Sequence, residues 1–124
     1  MKRLFLLVLP LVLLLASCSK EELVRPPIDE TEWLKKERGI VVASSFNCDF
    51  FVVETVRGYS LLRSWGGLAP VRGAVIYGDL NQWGVRTFYN RSEGYLMNAD
   101  VRDNRMSYFQ AMDQMQWYCD PWSN

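Results

Sequence analysis

Tyr95-Leu96-Met97-Asn98-Ala99-Asp100-Val101-Arg102 is the stretch that decides the fold class. Tyr95, Met97, Ala99 and Val101 alternate with Leu96, Asn98, Asp100 and Arg102. Period two puts successive side chains on opposite faces of a strand, so this segment predicts a strand with one wet face. Reading outward from it, 90–94 is a polar loop, and 85–89 is a partner strand that returns across the turn Asn81-Gln82-Trp83-Gly84. The run 74–80 precedes that turn and contains Gly78, which predicts a bulge or sharp bend of the kind barrel corners require. Further upstream, 50–56 is β-branched and aromatic and ends at Arg57-Gly58. The run 59–65 follows so closely that the two form a hairpin or one long bent strand. Residues 40–44 read as a short first strand, and Gly66-Gly67 with Pro70 marks a loop.

Downstream, Asp103-Asn104 reads as a helix N-cap. Residues 105–118 then carry helical period. Tyr108, Ala111, Met112, Met115 and Cys119 fall on one side, and Gln110, Asp113 and Gln114 fall largely on the other. The methionines and aromatics of that side read as core packing rather than a cofactor box. Asp120-Pro121 stops the helix. The expectation is a mainly β domain: a small five- to six-stranded barrel with one C-terminal helix. The layout resembles an OB-fold, with the helix after the last strand instead of between the third and fourth. An SH3-like barrel and an α+β roll stay open.

The start of the chain has a different character. Lys2 and Arg3 precede an apolar run, 4–15, which contains Pro10 and is followed by Ala16, Ser17 and Cys18. An α-helix rises about 1.5 Å per residue and needs about 20 residues to span a bilayer core, so this run is too short to span. It has the form of a secretory signal. Leu15-Ala16-Ser17-Cys18 resembles the lipobox of bacterial lipoproteins. The resemblance implies a diacylglycerol thioether on Cys18, cleavage before it by signal peptidase II, and acyl chains such as palmitate as a membrane anchor. A plain secretory signal with a chance cysteine is the competing reading. Ser19-Lys20-Glu21-Glu22 resembles the surface-export signal of Bacteroidota lipoproteins, and a plain polar tether would look the same. The implied location is the cell envelope: lipid-anchored in the outer membrane, on its periplasmic or its surface face.

Three segments follow from this: 1–17 as signal peptide, 18–39 as lipidated cysteine and charged tether, and 40–124 as the β-rich domain. The tether holds Pro26-Pro27 and few apolar residues, which argues against a packed core there. Glu32 and Lys36 are spaced to pair on a helical turn around Trp33 and Leu34. A flexible chain of about 20 residues would hold the domain roughly 25 Å from its anchor.

Removing 1–17 leaves 107 residues with a net charge of −2, because Lys2 and Arg3 depart. No basic field of the kind nucleic-acid binding needs is present. With Cys18 lipidated, Cys48 and Cys119 remain, and an exported chain meets an oxidising compartment. A Cys48–Cys119 disulfide is expected, with two buried free thiols as the alternative. The chain has no histidine, so neither cysteine nor serine has that base to activate it.

No catalytic constellation, cofactor site or metal site emerges. Asp79, Asn81 and Gly84 fit three positions of a calcium loop, but Trp83 and Asn90 stand where oxygen ligands belong, so a hairpin turn is expected instead. Two carboxylates suffice for glycoside hydrolysis. Asp49, Glu54, Asp79, Glu93, Asp100 and Asp103 form that pool, with no reason to choose two. Aromatics and arginines interleave at Tyr59, Arg63, Trp65, Arg72, Tyr77, Trp83 and Arg86. Trp65 and Trp83 flank loops and, with Arg63 and Arg86, make the candidate ligand face. The expected role is non-catalytic binding or accessory work toward an envelope protein or glycan. A small carboxylate hydrolase and a structural subunit of a membrane complex are the alternatives.

Overall fold

The computed structural model describes residues 28–120. The expectations placed on the signal, on Cys18, on Lys20-Glu21-Glu22, on Pro26-Pro27 and on Pro121 lie outside the described residues. The elements run α1 (Glu30–Trp33), β1 (Arg38–Ser44), β2 (Phe50–Thr55), β3 (Gly58–Ser64), β4 (Val75–Tyr77), β5 (Gly84–Asn90), β6 (Tyr95–Met106) and α2 (Tyr108–Cys119). The six strands form a closed antiparallel barrel in the order β1-β2-β3-β6-β5-β4, with β4 returning to β1. The expected small barrel with one C-terminal helix is therefore present, with six strands.

Two apolar clusters hold it together. Inside the barrel, Val41, Phe51, Val53, Leu62, Ile76, Leu80, Phe88, Ala99 and Val101 pack together. Outside β2 and β3, Phe50, Val52, Leu61 and Met106 pack under Ala111 and Met115 of α2. This second layer explains why 50–53 reads Phe-Phe-Val-Val without alternation: Phe51 and Val53 point in, while Phe50 and Val52 are covered by the helix. Each large side chain so buried stabilises the fold by about 1.5–3 kcal/mol. The packing role expected for the helix's apolar side holds: Met112, Tyr118 and Cys119 also border the second cluster.

The segments 50–56 and 59–65 are a two-residue hairpin, with Thr55 opposite Gly58. The Thr55 hydroxyl donates to the Gly58 carbonyl at 3.0 Å and accepts from Arg57 N–H at 3.1 Å. Strand β4 is only three residues long, where 74–80 was expected, because Gly78 leaves the ladder to lie against the Phe88 ring.

The helix start also moves. Asp103-Asn104 is not the cap, since β6 runs on to Met106 by pairing with Tyr59 across two bulges. The ladder satisfies that backbone, and Asp103 accepts from Gln114 Nε2 at 2.8 Å instead. Ser107 caps α2 in a reciprocal box with Gln110.

The segment before Ile40 is more ordered than a tether. Asp29 caps α1, and Glu30 docks on the barrel by accepting from the Tyr89 hydroxyl at 2.6 Å and from Arg91 Nε at 3.3 Å. Trp33 packs on Tyr89 with ring centroids 6.2 Å apart. Glu32 pairs with Lys35 at 3.2 Å, and Lys36 lies over the Trp33 ring instead of pairing with Glu32. α1 spans only four residues, so Lys36 falls beyond the helical turn that an i,i+4 pair needs.

Candidate functional site

Antiparallel pairing gives the barrel two distinct ends. Loops 45–49, 65–74 and 91–94 share one, the loop end. The turn 56–57 and the links 34–37 and 78–83 share the other, the turn end. Cys48 and Cys119 form the expected disulfide, with Cα atoms 5.5 Å apart. It fastens the C-terminus of α2 to the 45–49 loop.

The four candidate ligand-face residues come from β3, from β5 and from the segments flanking them, with Asp100 of β6 between Arg63 and Val85. Arg63 sits on the outer surface of β3 opposite Asp100, which in turn faces Val85 of β5. Its guanidinium lies 5.7 Å from the Phe50 ring centroid. Trp65 follows on the same side, its N–H donating to the Asn98 carbonyl at 3.0 Å, and stands exposed at the loop end. Trp83 and Arg86 belong to the turn end. Arg86 is opposite the buried Ala99 and reaches out to Asp79 at 3.6 Å, while its Nε donates to the Trp83 carbonyl at 3.4 Å.

Near Arg63 the structure gathers a second arginine that the sequence reading passed over. Arg102 Nη1 donates to Asp100 at 3.3 Å. That hydrogen bond, joined by one with Tyr118, raises the Arg102 pKa above its ordinary value. Arg63, Arg102, Asp49 and Tyr118 border one shallow cleft of about 390 Å³. Tyr118 stacks on Phe50 with centroids 4.4 Å apart, so the floor is aromatic. Arg102 is legible in sequence as the polar phase of the 95–102 alternation. Its meeting with Arg63 requires knowing that β3 pairs with β6.

Three of the six pooled carboxylates have separate partners. Asp79 goes to Arg86, Asp100 to Arg102, and Asp103 to Gln114. Glu54 is the exposed residue of β2, toward the turn end, and Asp49 and Glu93 lie in different loops of the loop end. The calcium-like loop is a turn, as expected. Asn81 is buried with its amide donating to both Glu37 oxygens at 2.7 Å, while Asn90 sits in β5 opposite Ile76. Among the described residues no group of three or more acidic or cysteine side chains is placed to hold a metal.

Sequence reading also missed a set of exposed apolar loop tips. Phe46 is 85% exposed and Leu68 76%, and Val71 joins Trp65 on the same 65–74 loop. Both loops are held. Cys48 N–H donates to the Ser45 carbonyl, and the Ser64 hydroxyl donates to the Gly67 carbonyl at 2.8 Å. Tyr95 and Leu96 lie alongside, sharing a groove with Trp65. The available signal was an apolar residue inside a turn-rich loop, as in Ser45-Phe46-Asn47 and Gly67-Leu68.

No described helix is long and apolar enough to cross a membrane. Comparison of the chain with protein-family models, with curated proteins and with solved structures finds no match.

Proposed function

We propose that this chain is an envelope lipoprotein, held to the outer membrane by acyl chains on Cys18. Its barrel performs a non-catalytic binding or accessory role toward another envelope component, protein or glycan. The lipobox resemblance motivates the anchor. One observation carries the role: between the C-terminal end of α2 and the docked α1, the outer surface of β3, β6 and β5 mixes the exposed Arg63, Val85, Asn98 and Arg102 with the half-buried Asp100 and the edge of Trp65. Mixed aromatic, arginine and aliphatic surface of this kind is typical of partner-binding patches. A carboxylate hydrolase needs two acids facing one bond. Three of the six acids pair with separate partners and the other three lie apart on β2 and in two loops, which favours the binding reading over that one.

A photocrosslinking residue at Asn98, in intact cells, tests the role. The expected result is a discrete envelope adduct that is lost with Arg63→Ala plus Arg102→Ala. Turnover of envelope glycans or peptides by the purified protein would overturn the reading. Intact mass and labelling with an alkyne fatty acid test the anchor separately; both signals should depend on Cys18.

A further inference from the structure

The direction of the chain at its first described residues fixes which end of the barrel an anchor would pull on. Ile28 and Glu30 lie beside Tyr89 and Gly94 at the loop end. From there the chain crosses the barrel, and Glu37 reaches the turn end, where its carbonyl accepts from Gly78. Nine residues, 19–27, separate Cys18 from Ile28. Whatever its conformation, that stretch spans no more than about 35 Å. An anchor on Cys18 therefore tethers the loop end first.

The same end carries Phe46, Trp65, Leu68 and Val71 exposed on its loops, with Tyr95 and Leu96 beside them, while Val56, Trp83, Tyr108 and Phe109 are exposed at the turn end, so it is the entry of the chain that singles out the loop end. Tyr89, which receives Glu30, is directly opposite Leu96, so the entry of the chain and the apolar patch are continuous. The 65–74 loop has no carboxylate and one cation, Arg72. Asp49, Arg91 and Glu93 lie in the other two loops of this end, and at the turn end Val56 and Trp83 share their links with Arg57 and Asp79. Apolar tips on braced loops do not serve the core. Contiguous exposed patches of this sort mark interaction or membrane surfaces, and tryptophan and tyrosine concentrate at the bilayer interface.

We infer that the loop end of the barrel seats on the lipid surface, with Phe46, Trp65 and Leu68 entering the interface. The acyl anchor supplies the local concentration and the loops supply the orientation. The seated barrel holds its turn end, with Trp83, away from the bilayer and leaves the β3-β6-β5 surface upright for a partner. This rests on the lipid-anchored reading above and is separable from it.

The test uses the full mature protein reconstituted in phosphatidylcholine vesicles whose acyl chains carry bromine at carbons 6 and 7. Bromine quenches tryptophan only at membrane depth. Quenching should fall at least twofold in Trp65→Phe and stay unchanged in Trp83→Phe. Phe46→Ser with Leu68→Ser, which leaves every tryptophan in place, should lower it as well. Lipidated protein whose quenching ignores Trp65, or drops equally in both tryptophan variants, overturns the seating while leaving the anchor intact. If intact mass finds no lipid on Cys18, the anchor reading fails by itself. Quenching by added vesicles that depends on Trp65 then still supports the seating, and its absence overturns it. A doubled mass in lipid-free buffer, with Trp65 shielded from iodide, would assign the patch to a second copy and overturn the lipid assignment.

Discussion

Replacing Gly78 with alanine tests the packing that closes the barrel. Gly78 leaves β4 at φ 155°, and a Cβ there would press into the Phe88 ring, with Cε1 at 3.1 Å and Cδ1 nearer still. Phe88 has no exposed surface and sits in the barrel interior with Phe51, Ile76 and Leu80, so its ring has little room to retreat. Overpacking a dense core costs about 1–3 kcal/mol. A side chain at a backbone conformation it rarely adopts costs about 1–3 kcal/mol more. Gly78→Ala should therefore destabilise the domain by roughly 2–6 kcal/mol, against a total of about 5–15 kcal/mol for a native domain. Phe88→Ala alone should cost about 3–5 kcal/mol through the cavity it leaves. In the double variant the new methyl enters that cavity and the clash disappears. The two losses should then fall short of additivity by about 1–3 kcal/mol. Urea unfolding followed by tryptophan fluorescence and far-ultraviolet dichroism, with the disulfide intact, measures all four corners of the cycle. Additive losses, or a Gly78→Ala cost below about 0.5 kcal/mol, would refute the contact-based reasoning.

Cys48→Ala with Cys119→Ala opens a loop of 71 residues' separation. The chain-entropy relation gives a loss of about 4 kcal/mol, read as a melting temperature lower by roughly 15–30 °C. Glu30 has its pKa lowered by the hydrogen bond from Tyr89, helped by Arg91. Its contribution is therefore present above its unfolded pKa, near the ordinary glutamate value of 4.5, and is lost as pH falls through the lower folded value. A carboxyl NMR titration should find the Glu30 midpoint below that of a peptide glutamate, and Tyr89→Phe should move it back up. Ser107→Ala removes one half of the capping box of α2. It should cost about 1 kcal/mol in urea unfolding, whereas Asn104→Ala should spare the helix N-terminus.

Much of the architecture was legible locally. The alternation at 95–102, the Phe-Phe-Val-Val run and the helical period of Tyr108, Ala111 and Met115 each depend on side-chain periodicity. A strand or helix imposes that periodicity wherever one face is buried. The cap was less legible because two signals compete: Asp103-Asn104 and Ser107 with Gln110 both suit a helix start. Pairing of Met106 with Tyr59 decides between them, through residues 47 positions apart. The ligand face was partly legible. Trp65 beside Gly66-Gly67 is exposed as expected. Its position relative to Trp83 and Arg86 is set by the register of β6 between β3 and β5, with Asp100 opposite both Arg63 and Val85.

By itself, the sequence determined the class of fold, the number of strands to within one, the pairing of Cys48 with Cys119 as an expectation, and the even balance of basic and acidic residues. These follow from composition and from short-range periodicity, which the chain carries in each window. Only the tertiary structure decided that Arg63 meets Arg102, that the acids separate, and that Phe46, Trp65 and Leu68 share one end with the entry of the chain. Those are properties of strand order and register. A closed barrel brings together residues dozens of positions apart, and no local pattern encodes which ones.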